Sequence, residues 1–130
     1  MIDDALYTFL TGQSTITDLV STRIYPDELP ENPTYPAITV SADQHFGDDD
    51  YDGDNGFAQS DYFFDAWAYD RDDAKSIADA LRTLFKGHQG MTGGIYVHRV
   101  HLQFGPICVF EDSVKAYRMT QTFAIWHNQA

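Results

Sequence analysis

The stretch from residue 61 to residue 86 constrains the fold more than any other part of the chain. It reads DYFFDAWAYDRDDAKSIADALRTLFK. Its aromatic-rich beginning, Asp61 to Tyr69, predicts a β-strand. Asp70 follows as a predicted N-cap, and Arg71 to Lys86 has alanines, leucines, isoleucine and phenylalanine at helical spacing. A strand that leads directly into a helix with one apolar face predicts a sheet covered by helices.

Three other stretches predict strands, because each is rich in β-branched or aromatic residues. They are Ala37 to Phe46, Ile95 to Phe104, and Lys115 to His127. The second of them can continue, through a bend at Gly105-Pro106, to Phe110. The segment GHQGMTGG, residues 87–94, predicts a flexible turn after the main helix.

The N-terminal part predicts two short helices and an extended connector. Ile2 to Thr11 has one apolar face, and a second helix through Val20 is capped by Ser14 or Thr15. Four prolines within eleven residues, Pro26 to Pro36, favour neither a helix nor a central strand.

This order of elements predicts an α+β fold. We expect a four-stranded, mostly antiparallel sheet, with the main helix and the short N-terminal helices packed on one face. The other face must then meet water or another subunit. Since neither an internal repeat nor a linker is visible, residues 1–130 are predicted to form a single domain.

Charge and cysteine content exclude several classes of protein. Eight lysines and arginines against twenty aspartates and glutamates give a formal charge of −12. That disfavours sequence-independent binding to nucleic acid and docking on anionic membranes. Cys108 is the only cysteine, so an intrachain disulfide is excluded. The N-terminus lacks a basic leader and is not expected to be a signal peptide, and no apolar run reaches the ~18 residues of a membrane helix.

The acidic run Asp48 to Gln59, DDDYDGDNGFAQ, partly matches a calcium-binding loop. Three aspartates and Gly53 occupy the expected positions, but Gln59 stands where a bidentate glutamate is required, and the flanks predict strands rather than helices. A solvated hairpin loop is the alternative interpretation, with Gly53 and Gly56 supplying the turn geometry.

Catalytic and metal-binding patterns are weak. The five histidines show no metal-ligand spacing, and Cys108 lies in the apolar run GPICVF, where it predicts a small buried hydrophobe. Asp61 and Asp65 share a strand face, as a catalytic pair of carboxylates would, but a polar strand face or a subunit contact is the commoner explanation. We therefore predict no catalytic residue, no cofactor and no metal, and a protein that is not an enzyme.

Large aromatic side chains occur on both faces of the predicted strands. The set assigned either to the core or to a subunit interface is Tyr62, Phe64, Trp67 and Trp126. One strand face can be covered by the helix, and the other requires a partner or a second core layer made with the N-terminal helices.

The order of these motifs resembles the tail-completion (tail-terminator) family of long-tailed bacteriophages and gene transfer agents. The R-I-Y-P step Arg23 to Pro26 and the strand start Pro36 to Val40 are similar to the N-terminal part of that family. The acidic-glycine loop, the Trp67-Ala68 step and the helix after it resemble its middle, and Tyr117 to His127 resembles its closing strand. The resemblance covers nearly the whole chain.

The resemblance implies a structural virion protein that caps the head-proximal end of a tail tube. Its expected form is a homo-hexameric ring that stops tube polymerisation and contacts both the major tail tube protein and the head-completion (stopper) protein. DNA would pass through the lumen without specific binding, and the ring would be assembled in the host cytoplasm. A cytosolic ligand-binding module, or a small dimeric enzyme, is one alternative, and a calcium-dependent adhesion or assembly module built on the acidic run is another.

Within such a ring, we expect the acidic run to line the channel or to project toward an adjoining ring. The residues assigned to this role are Asp48, Asp49, Asp50, Asp52 and Asp54.

Overall fold

A computed structural model of the protein describes residues 2–47 and 57–128, and the side chains of residues 2–43 and 58–128. Within these ranges it has three helices and one curled, mixed sheet of six strands. The helices are α1 (Asp3–Thr11), α2 (Ser14–Val20) and α3 (Arg71–Phe85). The strands are β1 (Ile24–Pro26), β2 (Ala37–Gly47), β3 (Phe57–Ala68), β4 (Gly90–Thr92), β5 (Ile95–Glu111) and β6 (Ala116–Asn128). The predicted α+β class is confirmed.

The predicted number of strands was wrong, because two short strands were missed. The strand order is β1-β2-β3-β6-β5-β4, so the four predicted strands form the centre and a three-residue strand lies at each edge. β1 runs parallel to β2, and every other pair is antiparallel. Three residues are too few to show alternation, and β4 lies within the segment predicted as a flexible turn.

The main helix follows the sequence prediction closely. The Asp70 side chain accepts a hydrogen bond of 3.1 Å from the backbone N–H of Asp72, which makes it the N-cap. The predicted cap of α2 was wrong: Gln13 occupies that position, without a side-chain hydrogen bond.

The core lies between the helices and one face of the sheet. Phe64 from β3, Phe123 from β6 and Phe85 from α3 are at most 2% exposed, and their ring centres lie 5.2–5.5 Å apart. On the same face, Gln121 donates a hydrogen bond of 3.1 Å to the carbonyl of Ala78, which ties β6 to α3. β6 therefore alternates, with Met119, Gln121 and Phe123 on the helix side.

β5 is the longest strand, and its pairing with β6 is interrupted on both sides of Gly105. Gly105 has φ +94°, and a Cβ at this position would overlap the carbonyl of Thr120. Only glycine fits such a conformation at so close an approach. The strand continues past this irregularity to Glu111, as the predicted extension beyond Phe104 implied.

Candidate interaction surface

The helices cover one face of the sheet, and we call the other face the open face. Along β3, Tyr62 and Phe64 lie under the helices, whereas Phe63, Asp65 and Trp67 lie on the open face. Cross-strand pairing extends this face through Thr39, Arg118, Thr120, Trp126, Phe104, Ile107 and Val109. The open face combines aromatic, aliphatic and charged side chains.

A charged cluster of Asp65, Glu111 and Arg118 lies at one end of the open face. Arg118 Nη2 lies 2.7 Å from Glu111 Oε1, and Arg118 Nη1 lies 4.0 Å from Asp65 Oδ2. The guanidinium carbon lies 5.8 Å from the centre of the Trp67 ring. The Trp67 indole N–H in turn donates to Thr39 Oγ1 at 2.9 Å. The cluster thus holds one cation between two carboxylates.

Asp65 is the most unusual member of this charged cluster, because it is only 8% exposed. Burial raises the pKa of its carboxyl group, while hydrogen bonds with Thr120 and Thr39 and the charge of Arg118 act to lower it. Among the described residues, Asp65 Oδ1 and Arg118 Nε are buried without a hydrogen-bond partner. Buried polar atoms of this kind are normally satisfied by water or by a partner molecule. The charged cluster is therefore suited to a polar contact outside the chain.

The outer half of β5 exposes a row of apolar side chains. Phe104, Ile107, Val109 and Phe110 are 41–54% exposed. β4 pairs only with residues 95–97, so within the described ranges residues 98–111 have no strand on their outer side. We call residues 98–111 the β5 edge. A long strand edge with exposed apolar side chains is typical of a protein–protein contact.

The four aromatics singled out from the sequence separate into two pairs. Tyr62 and Phe64 lie in the core of the chain itself, where they are at most 1% exposed. The Tyr62 hydroxyl donates to the Asp3 carboxylate, and burial raises the pKa of this phenol. Trp67 and Trp126 lie half-buried on the open face, and the guanidinium of Arg99 lies 5.1 Å from the Trp126 ring centre.

The acidic run Asp48 to Asp54 lies outside the described residues. Of the partial calcium frame, Gln59 is described, and its amide donates to Asp61 Oδ1 at 3.0 Å. This amide is therefore occupied by a contact within β3.

His127, His98 and Cys108 each make a contact within the chain. Ser60 and His127 share a hydrogen bond of 2.8 Å, and both are 1% exposed, so this pair is inaccessible to a substrate. His98 shares a hydrogen bond of 2.7 Å with Asn128. Cys108 is half-buried against the core. Across residues 2–43 and 58–128, whose side chains are described, no three potential metal ligands come together.

Sequence reasoning missed three grooves at the two edges of the sheet. A groove of about 410 Å³ lies beside β1, between Asp3, Asp4 and Tyr7 of α1 and the strand residues Ile24 and Tyr25. Two more, of about 300 and 450 Å³, follow the seam between α3 and β5. The helical spacing of the basic residues on α3 could have indicated the two grooves between α3 and β5.

The family model described as "Tail completion protein gp17" matches residues 4–128. The chain belongs to the tail-completion protein family. Its match spans all the described elements except the first residue of α1. The resemblance inferred from the sequence motifs is thereby confirmed.

A solved structure supports the fold of this tail-completion protein independently. A chain of the "Virion of native gene transfer agent (GTA) particle" aligns with a TM-score of 0.66 and 19% identity, covering 95% of this chain and 91% of that chain. The comparison with curated proteins gave no match. None of the described helices is long and apolar enough to cross a membrane. As a tail-completion protein, the chain has a structural role in a virion tail.

Proposed function

We propose that this tail-completion protein forms a closed homo-oligomeric ring, of six subunits in the expected form, at the head-proximal end of the tail tube. The ring ends tube polymerisation and offers its other side to the head-completion protein, while DNA passes through the lumen. In this proposal residues 1–130 act as one domain, and the protein is not an enzyme.

The observation that carries the proposal is the β5 edge. Its exposed apolar residues, Phe104, Ile107 and Val109, lie along a strand edge of fourteen residues, 98–111, with which no other strand of the described residues pairs. An isolated chain gains nothing from such a surface, because exposed edges promote unwanted association. A subunit that must bind its neighbours in a ring requires a surface of this kind.

Charge supports the passage of DNA through the ring. Each subunit carries −12, and a lumen that contained Asp48, Asp49, Asp50, Asp52 and Asp54 would repel phosphates rather than bind them. We propose that this acidic run lines the channel or faces an adjoining ring.

The test is capping of tail tubes by the purified protein, followed by negative-stain imaging and mass photometry. We expect rings at one end of each tube and no further growth of capped tubes when tube protein is added. Tubes that continue to grow with the protein bound along their sides would overturn the proposal.

A matched pair of variants tests the part played by the β5 edge. Phe104→Asp places a charge on an apolar residue of this edge that is 54% exposed, and we expect it to abolish ring formation. Met91→Asp places the same charge on β4, at a residue that is 65% exposed, and is expected to cap tubes normally. Equal loss in both variants would contradict a specific role for the β5 edge.

A further inference from the structure

We propose that the two lateral edges of the sheet bind each other in successive copies of the chain, through opposite charge and an apolar groove. The proposal rests on the ring proposed above and names the contact that closes it. One edge is the basic seam between α3 and β5, and the other is the acidic edge formed by β1 with the start of α1.

The basic seam contains half of the lysines and arginines in the chain. Four of the eight, Arg71, Lys75, Arg82 and Lys86, occur on or directly after α3. At 100° per residue they fall within about 60° of one another around the helix axis. They line the grooves of about 300 and 450 Å³ whose opposite wall is β5, from Val100 to Cys108.

The charge of this seam is positive although the chain is strongly acidic. Two carboxylates line the same grooves: Asp79, which forms an ion pair with Arg82, and Asp72. Four cations and two anions leave a formal +2 on a surface of a protein that carries −12 in total. All four cations are exposed. Among the described residues only Arg82 of the four forms an ion pair, so Arg71, Lys75 and Lys86 are available to a partner with acidic side chains.

The opposite edge of the sheet has the complementary charge. Asp3, Asp4, Asp27 and Glu28 are exposed around β1 and the groove of about 410 Å³. The nearby cation, Arg23, donates from Nε to the carbonyl of Pro36 at 2.8 Å and is only half-exposed. This edge therefore carries a net negative charge.

The two edges also match in height along the sheet. Ile24 of β1 pairs with Ile38, and the register continues through Ala66 and Met119 to Cys108 of β5. The acidic edge of one copy therefore stands level with the basic seam of a neighbour that is related by rotation about an axis along the strands. A contact between different surfaces of identical subunits is heterologous, and it closes into a ring when the rotation closes.

Apolar groups accompany the charges on both edges. Phe110, 47% exposed, projects from the helix side of β5 at its end of the sheet. The groove beside β1 presents Tyr7, Ile24 and Tyr25 to a side chain of that kind. Burial of one phenylalanine in such a groove contributes more than any single exposed ion pair.

Side chains, rather than added strand hydrogen bonds, carry this contact. Pro26 has no backbone N–H to donate, and the N–H of Ile24 already donates to the carbonyl of Thr22 at 2.8 Å. β1 is therefore a blunted edge that resists random strand addition. Recognition then depends on the charges, which makes the interface testable by charge reversal.

The experiment uses two full-length variants that are each repelled from themselves but attracted to each other. Lys75→Glu with Lys86→Glu makes the seam acidic, and Asp4→Lys with Glu28→Lys makes the edge of β1 basic. Ring formation, in solution or on tube ends, is measured by mass photometry and negative-stain imaging at low salt. Circular dichroism verifies that both variants fold.

We expect each variant alone to associate at least tenfold more weakly than wild type. An equimolar mixture is expected to restore rings, because each contact then pairs an acidic surface with a basic one and the two variants alternate. As controls, Asp18→Lys with Asp73→Lys, and Lys115→Glu, reverse exposed charges on neither surface and are expected to leave rings intact.

Rings formed by either variant alone at wild-type concentration would overturn the proposed interface, and so would a mixture that fails to assemble. Both results leave the capping function standing if wild-type protein still caps tubes in the same assay. Failure of the wild-type protein to form rings on tube ends would instead overturn the proposed function itself.

Discussion

The two faces of β3 differ in what they bury, although residues of the two faces alternate along one strand. On the helix side, Tyr62 and Phe64 are at most 1% exposed and pack in an apolar core. On the open face, Asp61 and Asp65 are 4% and 8% exposed, beside half-buried aromatics such as Trp67. Burial of an aromatic ring stabilises the chain, whereas burial of a carboxylate costs free energy unless it is fully paired. We infer that the helix side of β3 maintains the fold and that the open face is suited to contacts outside the chain.

The greatest loss of stability is expected on the helix side of β3. Phe64→Ala removes a ring that touches both Phe85 and Phe123, and we expect a loss of about 3–5 kcal/mol in the free energy of unfolding. Phe63→Ala, at the neighbouring half-buried position, is the matched control and is expected to cost about 1 kcal/mol. Urea denaturation of both variants provides the measurement. Equal losses would mean that the open face contributes to the core as much as the helix side does.

The next effect concerns the cation of the charged cluster. Arg118→Ala leaves Glu111 and the buried Asp65 without their shared partner, and the expected loss is about 1–3 kcal/mol because the Arg118 side chain is 34% exposed. Arg118→Lys retains the charge but not the paired geometry, so it is expected to lose less. If both variants unfold at the urea concentration of the wild type, the cluster does not stabilise the single chain.

Much of the fold could be predicted because its longer elements have clear periodicity. The 15 residues of α3 have apolar residues at every turn and an aspartate cap at Asp70, and the alternation of β6 separates Met119 and Phe123 from Arg118 and Thr120. β3 begins at Phe57, four residues before its predicted start. Ala58, Gln59 and Ser60, which follow Phe57, are small or polar, and pairing with β6 makes them part of the strand.

The candidate surface was harder to predict than the fold. Sequence alternation can place Asp65 and Trp67 on one strand face, but the burial of Asp65 depends on neighbours that the chain supplies far away in sequence, Thr39 and Thr120. The seam of α3 with β5 likewise depends on strand order. Long-range pairing of this kind leaves no local pattern, which is why both surfaces were recognised only in the structure.

A smaller effect is expected from the titration of Asp65. Burial raises the pKa of Asp65 in the folded chain, so the folded state binds this proton more tightly than the unfolded state does. Protonation of Asp65 therefore stabilises the folded chain at pH values below the pKa that this carboxyl group has in the unfolded state. This stabilisation is lost as the pH rises through the pKa of the folded state. As the pH rises, the free energy of unfolding of the wild type is therefore expected to fall relative to that of Asp65→Asn. A difference that is constant from acid to neutral pH would contradict this assignment.

Phe104 is expected to matter least for the stability of the single chain and most for its association. Phe104 is 54% exposed on the open face, so Phe104→Ser is expected to change the free energy of unfolding by no more than about 0.5 kcal/mol. If the β5 edge serves the proposed contact between subunits, the same variant must weaken ring formation far more than it weakens the fold. Urea denaturation and mass photometry on one preparation separate the two quantities. A variant that associates like wild type would show that Phe104 does not contribute to the contact, and one that unfolds early would place it in the core. We expect a monomer that is about as stable as wild type but no longer forms rings, and this result would identify Phe104 as a residue of the assembly contact.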